Sequence, residues 1–326
     1  MVNALFKSSG IFYNSPNNAF DVLLIDEAHR LNEKSGLFSN KGENQIKEII
    51  NASKISVFFI DEDQRVTSKD IGSIDLIKHF AKSFNAKIKT LELESQFRCN
   101  GSDDYIIWLN NLLEIKTNGY DIFNNCDYDF KIFDNLNEMC EAIYEKNKIN
   151  NKSRILAGYC WEWISKKDLN CYDIVIPSEN FKAQWNFNNT STWAIDEDSI
   201  NQIGCIHTSQ GLEFDYVGVI IGNDLRYKNN KVITDFSKRA KTDKSLSGLI
   251  TKCRNGDFES LKKADILIRN TYKTLMTRGM KGCYVYCTDK ELSNYIKMRI
   301  HNSKITYAEI SKNYLLAAEQ KQEYKY

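Results

Sequence analysis

Two adjacent carboxylates, Asp26 and Glu27, follow a short apolar run in the segment FDVLLIDEAHRL at residues 20–31. A short run of β-branched and apolar residues that stops at acids predicts a buried parallel strand, which carries the acids to the carboxyl edge of its sheet. Open α/β sheets bind ligands at that edge. One carboxylate there can hold Mg²⁺ while its neighbour orients an attacking water, as in phosphoryl transfer. A buried strand followed by a helix cap fits the same residues equally well.

Further polar segments stand next to predicted strands later in the chain. Each alone has a commoner explanation, because an isolated arginine usually lies on the surface and an isolated glycine usually lies in a turn. Together with the Asp-Glu pair, their fixed order is a specific signal. In chain order they are D-x-x-Q at 61–64, Q-F-R at 96–98, H-T-S-Q-G-L-E-F at 207–214 and T-R-G at 277–279.

The elements that must position these segments alternate between strands and helices, which predicts α/β domains. After the opening strand, further strands are predicted at 54–60, 88–93, 129–133, 154–160, 170–177, 190–195, 203–206, 215–222 and 282–288. Helical spacing of apolar residues predicts helices at 43–52, 71–84, 102–114, 135–147, 257–277 and 289–300. A hairpin is predicted at 225–234 around Asn229-Asn230.

Bulk composition narrows the class of protein. A length of 326 residues suggests two domains, and 42% hydrophobic residues indicate an ordinary globular protein. A net charge of +1 gives no argument for nucleic-acid binding from composition. No apolar stretch of about 18 residues exists, so no membrane span is expected, and the first residues do not resemble a signal peptide. The nine cysteines and four histidines lack zinc spacing, and a reducing cytoplasm is the expected location.

The ordered segments resemble the motifs of superfamily-one helicase motors. The chain looks most like the helicase-like ATPase family called domain of unknown function 2075, which is similar to the C-terminal helicase-like domain of Schlafen proteins. The resemblance implies two RecA-like P-loop NTPase domains, at 1–118 and 119–300, and a tail at 301–326. It extends to about residue 295 and rests on IDEAHRL, INASKISVFFIDEDQRV, LESQFRCNGSD, AGYCWEW, IGCIHTSQGLEFDYVGVIIG and NTYKTLMTRGMKGCYVYCTD.

The resemblance also implies roles for individual residues, with ATP and Mg²⁺ as cofactors and single-stranded DNA or RNA as the partner. Asp26 would coordinate Mg²⁺, Glu27 would position water, and Gln64 would sense the γ-phosphate. Arg98 and Arg278 would be arginine fingers, whose planar guanidinium groups match the charge on the transferred phosphoryl group. The residues implied to lie near the nucleotide in the second domain are Gln210, Gly211 and Glu213.

One expected motif does not occur in these 326 residues. A phosphate-binding loop, G-x-x-x-x-G-K-[ST], needs two glycines five positions apart, but no pair among the 15 glycines has that spacing and no Gly-Lys dipeptide occurs. In the family this loop precedes the Asp-Glu strand. The first domain is therefore expected to lack its first strand, loop and first helix, and to leave an apolar sheet edge open.

Three functions remain compatible with this pattern. The first is an ATP-dependent helicase-like motor that is inactive, or nearly so, as this isolated chain. The second is a non-catalytic module that binds nucleic acid or protein. The third is half of a split motor, completed by another chain that supplies the missing N-terminal segment.

Overall fold

A computed structural model describes residues 5–36, 39–93, 98–116, 123, 128–186, 192–303 and 306. Contacts divide the chain into two compact units. The first unit comprises Met1–Leu93 and Lys244–Asn270, and the second comprises Glu94–Asp243 and Thr271–Tyr326. The predicted domains at 1–118, 119–300 and 301–326 have different limits from these two units. The domain limits stay a prediction.

Strands and helices alternate along most of the chain, as predicted. The strands are β1 (Phe20–Ile25), β2 (Ser53–Phe58), β3 (Asp129–Phe133), β4 (Ser153–Ala157), β5 (Ile174–Ile176), β6 (Phe181–Ala183), β7 (Ile203–Gly204), β8 (Phe214–Ile221), β9 (Leu225–Lys228), β10 (Lys231–Thr234) and β11 (Gly279–Cys287). The α-helices are α1 (Gln45–Ala52), α2 (Ile74–Ser83), α3 (Asp103–Leu112), α4 (Leu136–Asn150), α5 (Ile206–Ser209), α6 (Ile250–Arg254), α7 (Phe258–Met276) and α8 (residues 290–303).

The first unit is built on the parallel pair β1–β2, in which Ile25 lies opposite Phe58. Helix α1 connects the two strands and is capped by Asn44, whose side chain accepts hydrogen bonds from two amides of the first turn. Its buried residues Ile46 and Ile49 pack into one apolar cluster with Ile25. The helix therefore covers one face of the strand pair.

The other face of β1–β2 carries exposed apolar side chains. Val22 lies opposite Ile55 in the register, and these side chains are 51% and 57% exposed. Leu24, on the same face by strand alternation, is 69% exposed. Parallel strands are normally covered on both faces, so this face has the composition of a surface that another element covers.

The second unit contains a five-stranded sheet in the order β3-β11-β8-β4-β7, and all its neighbouring strands are parallel. Every residue of β4 is buried, as expected for a strand covered on both faces. Helix α4 packs Leu136, Met139 and Ile143 into the core of this sheet. This sheet confirms the predicted α/β fold class, and its all-parallel order is consistent with a RecA-like fold.

Several predicted strands differ from the structure. The strand predicted at 170–177 is limited to β5, and the one predicted at 203–206 is limited to β7 because Ile206 begins α5. Residues 85–93 form no strand, and Leu91 and Leu93 are 78% and 86% exposed, so the alternating pattern there has found no partner strand. Residues 192–195, the described part of the strand predicted at 190–195, form a turn. Strand β4 ends at Ala157 rather than Cys160. Within the described part of the chain, no helix is long and apolar enough to cross a membrane.

Candidate active site

The ends of β1 and β2 bring two of the predicted segments to one edge of the first unit. Since the strands are parallel and Ile25 lies opposite Phe58, Asp26 and Asp61 both follow at the carboxyl edge. The pairing continues past the strand ends: the Phe59 amide donates to the Ile25 carbonyl at 2.9 Å, and the Ala28 amide donates to the Phe59 carbonyl at 2.8 Å. The segment that follows β2 therefore holds the Asp-Glu turn in place.

The Asp-Glu turn itself has an uncommon backbone. Glu27 has φ of +50°, in the left-handed region that few residues other than glycine adopt. The Asp26 carboxylate accepts a hydrogen bond from the Glu27 amide at 2.8 Å, which supports this conformation. Strained backbone of this kind concentrates at functional sites. The exposed Asp26 carboxylate and the partly exposed Glu27 carboxylate are presented at the surface of the edge.

His29 lies directly beneath this turn. Its side chain is 1% exposed, and its Nε2 is 3.0 Å from Oε2 of Glu27, although the angles at this contact are not those of a hydrogen bond. Among the described residues, His29 Nδ1 has no hydrogen-bond partner. The buried imidazole therefore contacts the Glu27 carboxylate from the protein side and limits where that carboxylate can point.

Gln64 is held at the same edge by Asp61, three residues earlier in the chain. Asp61 caps the short 3₁₀ helix Glu62–Gln64 by accepting from the Asp63 amide at 3.1 Å. Its second oxygen accepts from the Gln64 side-chain amide at 2.7 Å. Gln64 is 8% exposed. Asp61 thus fixes both the turn and the orientation of the glutamine.

The Asp-Glu turn is also packed closely against Gly72. A Cβ atom at Gly72 would lie 1.9 Å from the Ala28 carbonyl oxygen and 2.6 Å from the His29 Cα. The preceding residue, Ile71, also contacts this region, because its amide donates to the Leu31 carbonyl at 2.9 Å. Only glycine fits here, because the neighbouring atoms belong to the backbone and have no rotamer to change.

We expect Gly72→Ala to lower the free energy of unfolding by about 1–3 kcal/mol, the usual cost of overpacking, because the backbone of the turn must move. Urea unfolding followed by circular dichroism measures this change. Gly10→Ala is the matched control in the same unit, since a Cβ at Gly10 meets nothing closer than 3.7 Å. Equal stability of the two variants would show that the close approach at Gly72 carries no constraint.

In the second unit, the structure brings the predicted T-R-G and Q-G-L-E segments together. Arg278 is 1% exposed; its Nε donates to the Thr274 carbonyl and its Nη1 to the Leu212 carbonyl, both at 3.2 Å. Its guanidinium therefore joins the end of α7 to the loop before β8. Gly211 has φ of +82° in that loop. Its neighbours differ in burial: Gln210 is 9% exposed, whereas Glu213 is exposed.

The remaining predicted residue, Arg98, begins the 3₁₀ helix Arg98–Gly101. Its side chain lies outside the described part of the structure. The roles predicted for Arg98, Arg278, Gln210 and Glu213 stay predictions.

The second unit contains a buried cluster of charged residues that was not predicted from the sequence. Arg239 lies between two carboxylates, with its Nη1 3.1 Å from Asp224 and its Nε 2.6 Å from Asp243, and all three side chains are at most 2% exposed. Burial alone lowers the pKa of Arg239, but the carboxylates of Asp243 and Asp224 outweigh burial and raise it. The Tyr272 hydroxyl donates to Asp224, and burial, followed by that carboxylate, raises the pKa of Tyr272 well above its usual value.

A Mg²⁺ ion bound with ATP needs few protein ligands. It is usually held by one or two carboxylates together with waters and substrate phosphates. The exposed Asp26 carboxylate suits that role. Among the described residues, no group of three His, Cys, Asp or Glu side chains forms a complete metal cage.

The parallel strands and the acidic segments at the carboxyl edge of β1–β2 fit an α/β domain that binds a ligand at that edge. Residues 1–289 match the family model of the Schlafen group 3 DNA/RNA helicase domain, and the chain belongs to that family. It is also similar to the uncharacterized protein YPL245W of Saccharomyces cerevisiae, with 28% identity over 297 residues. That match covers 83% of this chain and 63% of the yeast protein, so the chain spans less than two thirds of that relative.

Proposed function

We propose that this chain is part of a helicase-like NTPase that couples ATP hydrolysis to binding of, or translocation along, single-stranded DNA or RNA. The observation that carries the proposal is the meeting of Asp26-Glu27 and Asp61-x-x-Gln64 at one carboxyl edge of β1–β2. Membership of the Schlafen group 3 helicase domain family supports it. Within that class, we further propose a relationship to the domain of unknown function 2075 family, which rests on the sequence resemblance alone.

In this proposal the residues of the first unit prepare the hydrolytic reaction. Asp26 would hold Mg²⁺, and the ion would supply positive charge that neutralises the phosphates of ATP. Glu27 orients and deprotonates the attacking water, and the contact with His29 restricts its carboxylate. Gln64, fixed by Asp61, hydrogen-bonds the γ-phosphate or the water.

In the same proposal, the family resemblance gives further roles to residues of the second unit. Arg98 and Arg278 stabilise the charge on the equatorial phosphoryl oxygens. Gln210, Gly211 and Glu213 lie near the nucleotide and the bound strand.

No cysteine among the eight described forms a disulfide bond, which supports the reducing cytoplasm as the location.

The phosphate-binding loop comes, in this proposal, from a segment outside these 326 residues, carried by an extension of this chain or by another chain. Two observations support that source. The sequence contains no G-x-x-x-x-G-K-[ST] pattern. The face of β1–β2 that carries Val22, Leu24 and Ile55 is exposed, and an apolar sheet face needs a covering element. The isolated chain is accordingly expected to be inactive or nearly so.

A non-catalytic module that binds nucleic acid or protein is the second candidate. The buried position of Arg278 favours it, because both described hydrogen bonds of that guanidinium go to backbone carbonyls of its own unit. An arginine finger must instead reach a phosphate.

The test begins with the DNA upstream of the codon for Met1, which we expect to encode the phosphate-binding loop in the same frame or a neighbouring one. ATP hydrolysis is then measured for the chain alone and with that segment, each with and without single-stranded DNA or RNA. We expect turnover only with the segment. If the chain alone hydrolyses ATP and Glu27→Gln abolishes that activity, the chain does not need the additional segment. Nucleic-acid binding without turnover in either form would favour the non-catalytic module.

A further inference from the structure

A basic hairpin in the second unit is not used by the proposed hydrolytic site. Strands β9 and β10 are antiparallel and are joined by Asn229 and Asn230, whose φ angles are +53° and +59°. Two successive residues in the left-handed region form the tight type I′ turn of a two-residue hairpin, and asparagine tolerates that region. The tip of the hairpin is therefore a defined structure with the sequence Lys-Asn-Asn-Lys.

The base of the hairpin is fixed to its own unit. Val232 is 2% exposed, and its amide donates to the Glu114 carboxylate at 3.0 Å. The Tyr227 ring stacks on the Tyr295 ring of α8 at a centroid distance of 4.2 Å. The Tyr227 amide donates to the Asp289 carboxylate at 3.2 Å. The tip is thus presented by a rigid support.

The two lysines at the tip lie directly opposite each other. Lys228 pairs with Lys231 in the antiparallel register, and both are exposed. Like charges at directly opposite positions destabilise a strand pair. Among the described ion pairs, none involves Lys228 or Lys231, whereas Arg226 on the same hairpin is paired with Asp235 at 2.9 Å. The hairpin therefore holds two positive charges together, and neither forms a described ion pair, although the Asp289 and Glu114 carboxylates bind backbone amides next to the tip.

We propose that this tip binds the phosphate backbone of single-stranded nucleic acid. The inference rests on the proposed function, because it names a contact point for the strand that the motor would bind. Lysine ammonium groups act as point charges toward phosphate, and asparagine amides add hydrogen-bond donors. The tip carries no aromatic or aliphatic side chain, which are the usual anchors of protein–protein interfaces. A charged, polar tip instead suits phosphate contacts that do not depend on sequence.

The experiment compares the complete chain with the double variant Lys228→Gln/Lys231→Gln. Fluorescence anisotropy of a labelled single-stranded oligothymidylate gives Kd across a series of salt concentrations. Removing two phosphate contacts is expected to reduce the slope of log K against log salt by about 1.4, at about 0.7 for each contact with a single strand. The same change corresponds to roughly tenfold weaker binding or more at 0.1 M salt.

Lys87→Gln/Lys89→Gln is the matched control, since it removes the same net charge from two exposed lysines elsewhere in the chain. We expect this control to leave the slope close to that of the unmodified chain. Circular dichroism and the urea midpoint establish that both double variants are folded, which is expected because the hairpin is anchored by residues other than its tip.

Three results would overturn the inference. If the unmodified chain binds no single-stranded DNA or RNA, the hairpin contact and the proposed nucleic-acid partner both fail. If it binds and the hairpin variant keeps the same slope, or loses no more than the control variant, only the hairpin contact fails. If the hairpin variant loses binding to polyglutamate but not to oligothymidylate, the tip recognises an acidic polypeptide instead.

Discussion

Glu27→Gln is expected to lower nucleic-acid-stimulated ATP turnover at least about 100-fold, the range in which a positioned general base contributes. The measurement applies to the chain supplied with its phosphate-binding segment. Glutamine keeps the size of the side chain and a carbonyl oxygen, but it cannot take a proton from the attacking water. The carboxylate that is lost follows β1 in a left-handed turn, at 3.0 Å from His29. ATP binding should persist, because Glu27 is assigned to the water and not to the nucleotide.

Steady-state hydrolysis and equilibrium binding of a fluorescent ATP analogue separate these two effects. Glu33→Gln is the matched control: it is the same substitution at an exposed position in the same unit, outside the Asp-Glu turn. We expect the control to retain turnover within about threefold, as a surface substitution away from the site should. Turnover by Glu27→Gln close to that of the control would remove Glu27 from the reaction.

The placement of the acids was predictable because it depends on local patterns. Two apolar runs that end in acids predicted β1 and β2, and parallel strands necessarily place Asp26 and Asp61 at one edge. Helix α7 was likewise predicted by apolar spacing over many residues, where periodicity is most informative. The strand predicted at 88–93 failed because an alternating pattern becomes a strand only where another strand is available to pair with it.

The interactions that hold the site were not predictable in the same way. The turn in which Glu27 has positive φ is held by the Phe59 carbonyl, which binds the Ala28 amide, and by the close approach of Gly72. The burial of Arg278 depends on where the Leu212 carbonyl lies, 66 residues away in sequence. Such contacts arise from tertiary packing, which no local pattern encodes. The pairing of Arg239 with Asp243, four residues apart, was the only local sign of the buried cluster, and an isolated pair of that spacing usually lies on a solvated surface.

Arg239→Met is expected to lower the free energy of unfolding by about 3–5 kcal/mol, because it leaves two carboxylates buried without their cation. Asp224 is fully buried and would retain the Tyr272 hydroxyl, whereas Asp243 would retain His207, whose Nε2 lies 3.6 Å away. Neither partner replaces a guanidinium that lies within 3.1 Å of both acids. Urea unfolding at pH 7 measures the loss.

Arg65→Met is the matched control, since Arg65 pairs with Glu62 at 2.9 Å but both side chains are about one third exposed. A pair of that exposure contributes at most about 1 kcal/mol. The triple variant Arg239→Met/Asp224→Asn/Asp243→Asn tests the cause, because it removes the buried charges together and should recover much of the stability. If the triple variant is no more stable than Arg239→Met, the loss comes from packing of the arginine and not from its charge.

The pH dependence of Arg239→Met gives an independent check on that cause. A buried carboxylate without a cation has a raised pKa in the folded state, because burial favours its neutral form. Below the unfolded pKa of about 4, the carboxyl is neutral in both states, so no charge is buried. As pH rises above that value, the unfolded state loses the proton more readily than the folded state, so the free energy of unfolding falls. The stability difference between Arg239→Met and the unmodified chain should therefore be larger at pH 7 than at pH 4.5. A difference that does not change with pH would mean that the buried acids do not cause the loss.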